Sequence, residues 1–425
     1  MSGPRSVGTL RDRSGTLDEH IIIVGAGHGG VQAAASLREE GYTGRLTLVS
    51  ADPELPYHKP PLSKTFLKSP NAEPQILRAK AFYEAQDIDL LAGTKATGFS
   101  PAGHTLALSD GRQLRWTKLL LATGARPRRL EIVGADLAGV CHLRDCADAR
   151  SLRSELQRAG DIVVIGGGFI GLEVAATAAM AGKQVQVVEV AERLLGRAVS
   201  MRIAEHLHAY HESLGVVIAT GTGVSRIVGE AGKVRAVVTT DGRELPADLV
   251  LVGIGAAPNT ALAQAAGLVC ENGIRVDAQG RSSAPDVYAI GDCVSFPHAT
   301  SGRRLRLESV QNATDQARSV AKAMLGQKAA FDAVAWFWSD QGERKLQMVG
   351  LPFDVDREIV TGDADSGAFC VYMFSGERLV AIETINRPGE HMLGRRMLAA
   401  GFSPTAAQIS EGPAAVKAAF MGTAG

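Results

Sequence analysis

A strand, a glycine-rich turn and a helix of small residues, occurring twice, then a change beyond Gln327 to short alternating segments, predict an α/β chain. The expected architecture is two Rossmann-type domains plus an α+β C-terminal domain. The first copy runs from His20 through Gly25-Ala26-Gly27-His28-Gly29-Gly30 into a helix over 31–37 that stops at Gly41. The second begins about 140 residues later at Asp161. It passes through Gly166-Gly167-Gly168-Phe169-Ile170-Gly171 into a helix over 172–179 and stops near Gly182. Each copy has a further strand at the right distance, over 45–50 and 184–189. Past Gln327 the alternating segments are 345–349, 358–361 and 369–374, and an alanine-rich helix ends the chain.

Each part of the repeat has a physical reason. The first glycine permits the tight turn, the second lets backbone approach a pyrophosphate, and the third lets the helix pack on the strand. The helix N-terminus then offers unpaired N–H groups and a partial positive charge to phosphates. A lone G-x-G-x-x-G is weak evidence, but a strand before and a helix after, twice, make two dinucleotide sites. At the second site, Gly166, Gly168, Gly171 and Gly255 are assigned to NAD. Glu189, at the end of the second strand, can accept hydrogen bonds from both hydroxyls of an adenosine ribose and would repel a 2′-phosphate, so NADH is expected over NADPH. At the first site, the apolar strand ending in Thr123-Gly124 brings backbone against a cofactor. The run ending in Gly291-Asp292 delivers a carboxylate that can accept from ribityl hydroxyls or cap a helical turn, two roles that can coexist. These segments assign FAD to the first site.

Composition excludes several classes. At 425 residues two or three domains are expected. Lys+Arg and Asp+Glu both number 45, so no global charge draws the chain to nucleic acid or an anionic membrane. No apolar run approaches the roughly 20 residues that span a bilayer. Residues 1–19 lack an apolar core, read as a flexible extension and not a signal peptide, and leave the cytoplasm as the expected location. Five cysteines make no disulfide framework. Cys141 and Cys146 form C-x4-C, but a flavin-facing disulfide of that spacing follows the first fingerprint closely, and 50–80 holds no cysteine. The pair is expected to be ordinary thiols, and no cysteine cluster suits an iron–sulfur centre or other metal.

The run Leu55-Pro56-Tyr57-His58-Lys59-Pro60-Pro61-Leu62-Ser63-Lys64, the paired fingerprints, Gly291-Asp292, the run from Glu308 to Ala313 and Trp336-Phe337-Trp338-Ser339-Asp340-Gln341 resemble the oxygenase-coupled NADH:ferredoxin reductases. The resemblance covers residues 20 to about 400. It implies a glutathione-reductase-like fold, with an FAD domain over 20–125 and 259–330, an NAD domain over 126–258 and an interface domain over 331–425. It places Gly25, Gly27, Gly30, Lys64, Arg144, Asp292 and Val310 at FAD, Pro60 or Pro61 against the isoalloxazine, and Trp336 or Trp338 at the flavin edge. The chain departs from the family at the FAD ribose. It carries Ser50-Ala51 before any acid, leaving Asp52 or a backbone or water-mediated contact for that role. The resemblance also pairs Lys64 with Glu173 beside the nicotinamide. On their own, Lys64 reads equally as a solvated lysine and Glu173 as a helix-dipole partner on the first turn.

The implied activity is hydride transfer from NADH to FAD, then single-electron transfer to a transient [2Fe–2S] ferredoxin. That ferredoxin would supply a haem-thiolate monooxygenase or Rieske dioxygenase, with the reductase a monomer or weak homodimer. Trp336 and Trp338 alternate, so on a strand they share a face and form a wall covering the flavin. Arg303, Arg304, Arg306, Arg344 and Lys345 are expected to form a basic rim for an acidic ferredoxin. Rival readings on the same scaffold are a rubredoxin reductase, an NADH oxidase and an NADH-sensing flavoprotein like apoptosis-inducing factor.

Overall fold

In the computed structural model, which describes residues 19–196 and 198–423, apolar runs without alternation become central parallel strands. The expected extension over 1–19 lies, Glu19 apart, outside the described residues. The described chain divides into two units, one holding residues up to Tyr57 with Ile76–Gly124 and Pro258–Asp332, the other holding His58–Gln75, Ala125–Ala257 and the remainder from Ala333.

In the first unit, five parallel strands lie in the order Val287–Ala289, Lys118–Leu121, His20–Val24, Arg45–Val49 and Ile88–Leu91. The central strand is buried on both faces. Ile21 and Ile23 enter one core with Val31, Ala34 and Leu37 of helix His28–Glu39 and Ala317 and Val320 of helix Val310–Met324. Ile22 and Val24 enter the opposite core with Trp116 and Phe296. Small residues let the first helix lie close to the sheet. A three-stranded antiparallel sheet over Ala96–Ser100, Thr105–Leu108 and Gln113–Arg115 is inserted ahead of strand Lys118–Leu121.

The second unit repeats the plan. Its parallel order is Val217–Ala219, Gln184–Val188, Asp161–Ile165, Leu249–Val252 and Val140–Cys141, with helix Phe169–Met180 following the glycine turn. It also holds the C-terminal antiparallel sheet, ordered Trp336–Gln341, Arg344–Gly350, Arg378–Ile385, Ala368–Ser375 and Arg357–Asp363. All three alternating segments expected from the sequence fall on these strands. Three helices close the chain, Pro388–Ala399, Ala406–Ser410 and Pro413–Thr423, where one was expected. Pro388 and Pro413 stand at helix starts, where the missing N–H costs nothing. Among the described residues no helix is long and apolar enough to cross a membrane.

Candidate functional site

The two glycine turns have the same stereochemistry. Gly25 takes φ +110°, and a Cβ there would overlap the Ala122 carbonyl oxygen, while a Cβ on Gly30 would overlap the Gly25 carbonyl oxygen. Gly166 takes φ +105° with a Cβ position 2.5 Å from the Gly253 oxygen, and that of Gly171 lies 2.5 Å from the Gly166 oxygen. Packing alone therefore demands the first and third glycines. The middle ones differ. A Cβ on Gly27 would meet nothing within 4 Å, and one on Gly168 only the Gly253 oxygen at 3.9 Å. Both are helix N-caps of extended backbone with no side-chain cap. Open space at a helix N-terminus, where the first N–H groups have no intrahelical acceptor, fits a pyrophosphate, so both turns suit the dinucleotides their sequence implies.

Around the first turn the other loops of that unit gather at the carboxyl ends of the strands, where α/β sheets bind ligands. Thr123 Oγ donates to the Asn259 carbonyl at 2.8 Å, and the Asn259 side chain donates to the Thr123 carbonyl at 2.9 Å, locking the turn that ends at Gly124. The Gly291 N–H donates to Gln316 Oε1 at 2.7 Å, tying the Gly291–Cys293 turn to helix Val310–Met324, which Ser309 caps through the Asn312 N–H. Asp292 lies inside that 3-10 turn, whose N-cap is Ile290, so of the two readings of its carboxylate the capping one does not hold. The carboxylate of Asp52 accepts from the Glu54 N–H at 3.0 Å and the Tyr57 hydroxyl at 2.8 Å, holding the turn beyond Ser50 and Ala51.

At the second turn, Glu189 stands at the end of strand Gln184–Val188. Its Oε2 accepts from the Gly167 N–H at 2.6 Å and its Oε1 from the Ala191 N–H at 2.7 Å. The carboxylate is thus aimed at the glycine turn and not splayed into solvent. Gly255, at φ +94°, accepts from the Arg128 N–H through its carbonyl at 2.9 Å. Arg144 precedes helix Cys146–Arg158, its backbone N–H held by Asp148 at 2.9 Å.

The segment His58–Gln75 supplies the charged centre of the second unit. Its ends are joined by the His58 N–H to the Gln75 carbonyl at 2.7 Å. Arg153 pins it, with its guanidinium 4.4 Å from the centre of the Phe66 ring and hydrogen-bonded to the Ser69 and Ala72 carbonyls. The 3-10 turn Pro60–Ser63 then presents Lys64, whose ammonium lies 2.8 Å from Glu173 Oε2 and 3.2 Å from the Pro60 carbonyl. Side-chain exposure is 15% for Lys64 and 5% for Glu173, so this is a buried ion pair and neither a solvated lysine nor a simple dipole partner. Glu173 occupies the fifth position of helix Phe169–Met180, one residue past the first turn where the sequence placed it. Two serines that sequence reasoning missed complete the carboxylate's shell. Ser63 Oγ donates to Oε2 at 2.5 Å and Ser339 Oγ to Oε1 at 2.5 Å.

Strand Trp336–Gln341 splits its six side chains between two faces. Trp336 and Trp338 share one, their rings 5.5 Å apart, with the Arg395 guanidinium 4.4 Å from the centre of the Trp336 ring. Phe337, Ser339 and Gln341 share the other, which packs on helix Phe169–Met180, Phe337 meeting Phe169 at 4.7 Å between ring centres. The period-two geometry of a strand, which sets Ser339 on the face of Phe337 and Gln341, was the available signal for Ser339.

Two expectations about exposed groups meet the coordinates differently. The basic rim is reduced, because Arg304 is drawn into the fold by the Val276 and Ser295 carbonyls and Arg306 pairs with Glu308. Arg344 packs on the Tyr210 ring at 4.5 Å, leaving Arg303 and Lys345 as the exposed members. Cys141 and Cys146 form no disulfide, and burial pushes the Cys141 thiol up to about 11, away from thiolate chemistry. Replacing both with serine is therefore expected to leave NADH-dependent acceptor reduction within about twofold of wild type. Loss of that activity with flavin retained would restore the disulfide mechanism.

Two doubly wound domains with paired nucleotide turns, joined to an antiparallel C-terminal sheet, define a glutathione-reductase-like oxidoreductase. The chain belongs to the pyridine nucleotide-disulphide oxidoreductase family, which matches residues 19–317, and residues 336–420 match the reductase C-terminal family. It is 41% identical to rhodocoxin reductase of Rhodococcus erythropolis over 92% of each chain. It is 40% identical to a rubredoxin-NAD(+) reductase of Pseudomonas putida, covering 87% of this chain and 96% of the relative. Among solved structures, the ferredoxin reductase for the CYP199A2 system from Rhodopseudomonas palustris superposes with a TM-score of 0.90 at 41% identity, covering 92% of this chain and 96% of that one. The family implies FAD and a nicotinamide coenzyme.

Proposed function

We propose that this chain oxidises NADH with FAD and delivers the electrons singly to a [2Fe–2S] ferredoxin that supplies a bacterial oxygenase. The observation that carries the reading is the buried Lys64–Glu173 pair beside the Pro60–Pro61 turn, in a chain whose two glycine turns both fit dinucleotides. A bound flavin supplies the exchange between a two-electron donor and a one-electron acceptor. Gly25, Gly27, Gly30, Thr123, Gly124, Gly291, Asp292 and Val310 would hold the FAD, with Pro60, Pro61, Lys64, Arg144 and Trp338. Asp52 is the acid nearest in sequence to the ribose position, and its engagement with Glu54 and Tyr57 leaves backbone as the stronger partner there. Gly166, Gly168, Gly171, Glu189 and Gly255 would hold NADH. Lys64 stabilises negative charge developing on the reduced ring, and Glu173 fixes the ammonium in place. The three-domain division, with residues 331–425 as the interface domain, and the cytoplasmic site belong to the same proposal.

NADH preference rests on Glu189. Its carboxylate already faces the glycine turn, where a 2′-phosphate would meet like charge. NADH is expected to exceed NADPH in kcat/KM by at least about one decade, roughly 1.4 kcal/mol, and Glu189→Ala to narrow the gap. Equal use of both coenzymes by the wild type, or release of FMN in place of FAD on denaturation, would contradict the site assignments.

The rubredoxin-NAD(+) reductase relative makes a rubredoxin the second acceptor to test. The ferredoxin reading is preferred because one of the solved structures that match, a ferredoxin reductase, covers 92% of this chain at 41% identity, whereas the rubredoxin-NAD(+) reductase covers 87% at 40%.

A further inference from the structure

Glu173 is held from two sides by different parts of the sequence. Lys64 and Ser63 both engage Oε2, which alone would let the carboxylate pivot, because the terminal torsion of a glutamate is broad and roughly two-fold. The other oxygen is fixed by Ser339 Oγ, from the C-terminal sheet, at 2.5 Å. Gln341 donates from Nε2 to Ser339 Oγ at 2.8 Å and to the Phe169 carbonyl at 3.3 Å, the latter on the helix that carries Glu173. Gln341 Oε1 lies 3.0 Å from His211 Nε2.

Donor counting gives this chain one direction. A serine hydroxyl has a single proton, and Ser339 Oγ already accepts from Gln341, so its proton goes to Glu173. Gln341 must direct its amide nitrogen at Ser339 and its oxygen at His211, so the His211 proton sits on Nε2, consistent with a buried Nδ1 that has no partner. Burial lowers the His211 pKa and keeps the ring neutral. Hydrogen bonds then run from His211 to Gln341 to Ser339 to Glu173, all buried.

We propose that Ser339 is a positioning residue for hydride transfer, fixing the Glu173 carboxylate, and through it Lys64, by a one-way hydrogen-bond chain anchored at Gln341 and His211. The proposal rests on the assignment of Lys64 and Glu173 to that step. Ser339 itself touches neither coenzyme nor acceptor in this role. The C-terminal sheet thereby contributes to the reductive half-reaction.

Stopped-flow reduction by NADH tests it in Ser339→Ala, Ser339→Thr, Glu173→Gln and the Ser339→Ala/Glu173→Gln double variant. Ser339→Ala is expected to slow reduction at saturating NADH about tenfold with coenzyme affinity changed less than about twofold. Ser339→Thr, which keeps the hydroxyl, restores most of the rate. In the Glu173→Gln background the alanine change has little further effect, because the charge that Ser339 positions is gone even though an amide oxygen can still accept its proton. Urea midpoints of the flavin-free proteins give a second readout, in which the two single shifts fail to add. Equal slowing by Ser339→Ala in both backgrounds, or none in either, overturns the proposal. Should Ser339→Ala not accumulate as folded protein, Ser339→Cys carries the same comparison. A wild-type flavin that NADH does not reduce would refute the functional assignment itself, a different outcome.

Discussion

Lys64→Met is expected to slow flavin reduction by NADH by a decade or more and to destabilise the protein by about 3 kcal/mol, the low end for breaking a buried ion pair. Both effects follow from one geometry. Methionine fills similar volume but leaves the Glu173 carboxylate, 5% exposed, with only serine hydroxyls as donors. Two hydroxyls offset part of the lost interaction, which is why the low end applies. Adding Glu173→Gln removes the uncompensated charge, so the double variant should recover much of the urea midpoint while its reduction remains slow. That separation distinguishes a kinetic role for the ammonium from a purely structural one. Wild-type reduction rate in Lys64→Met would return the pair to a stabilising contact and no more.

The glycine turns yield the second large effect, as a contrast between neighbours. Gly30→Ala places a methyl into the Gly25 carbonyl oxygen, so the turn must open and the helix shift from its strand. Overpacking against backbone costs roughly 1–3 kcal/mol or more, and here it falls under the sheet's central strand. Gly27→Ala meets no atom within 4 Å and keeps an ordinary φ of −75°, so the fold should be unharmed. Its methyl nevertheless occupies the space through which a pyrophosphate approaches the helix N-terminus. Gly27→Ala should therefore be a folded protein that loses FAD on gel filtration and keeps the urea midpoint of flavin-free wild type. Gly30→Ala should be both less stable and flavin-poor. Full retention of FAD by Gly27→Ala would show that the open space is not the pyrophosphate seat.

These contrasts also mark how far the sequence was legible. Strand, turn and helix in each nucleotide domain were readable because one local pattern dictates them, and the observed strands end within one residue of expectation. Period-two alternation located the C-terminal strands for the same reason. Glu173 was paired with Lys64 through resemblance alone, since no local rule connects positions 109 apart. Ser63 and Ser339 were missed because their meeting at one carboxylate depends on how distant segments pack. Ser339 was half visible, as the strand residue whose side chain must face away from Trp336 and Trp338. The capping alternative for Asp292 fell away because a 3-10 turn already begins at Gly291. The arginine cluster failed for a different reason, that charge in a sequence does not reveal which guanidinium a nearby carbonyl or carboxylate will take up, as Ser295 does for Arg304 and Glu308 for Arg306.

The central claim concerns where the electrons go. Stopped-flow reduction of the purified flavoprotein with one equivalent of NADH, followed by mixing with a panel of [2Fe–2S] ferredoxins and rubredoxins under nitrogen, tests it most directly. The account predicts rapid flavin reduction, then reoxidation by at least one ferredoxin with two ferredoxins reduced per flavin and slower reaction with every rubredoxin. Reoxidation only by rubredoxin, or by no member of the panel, would contradict it.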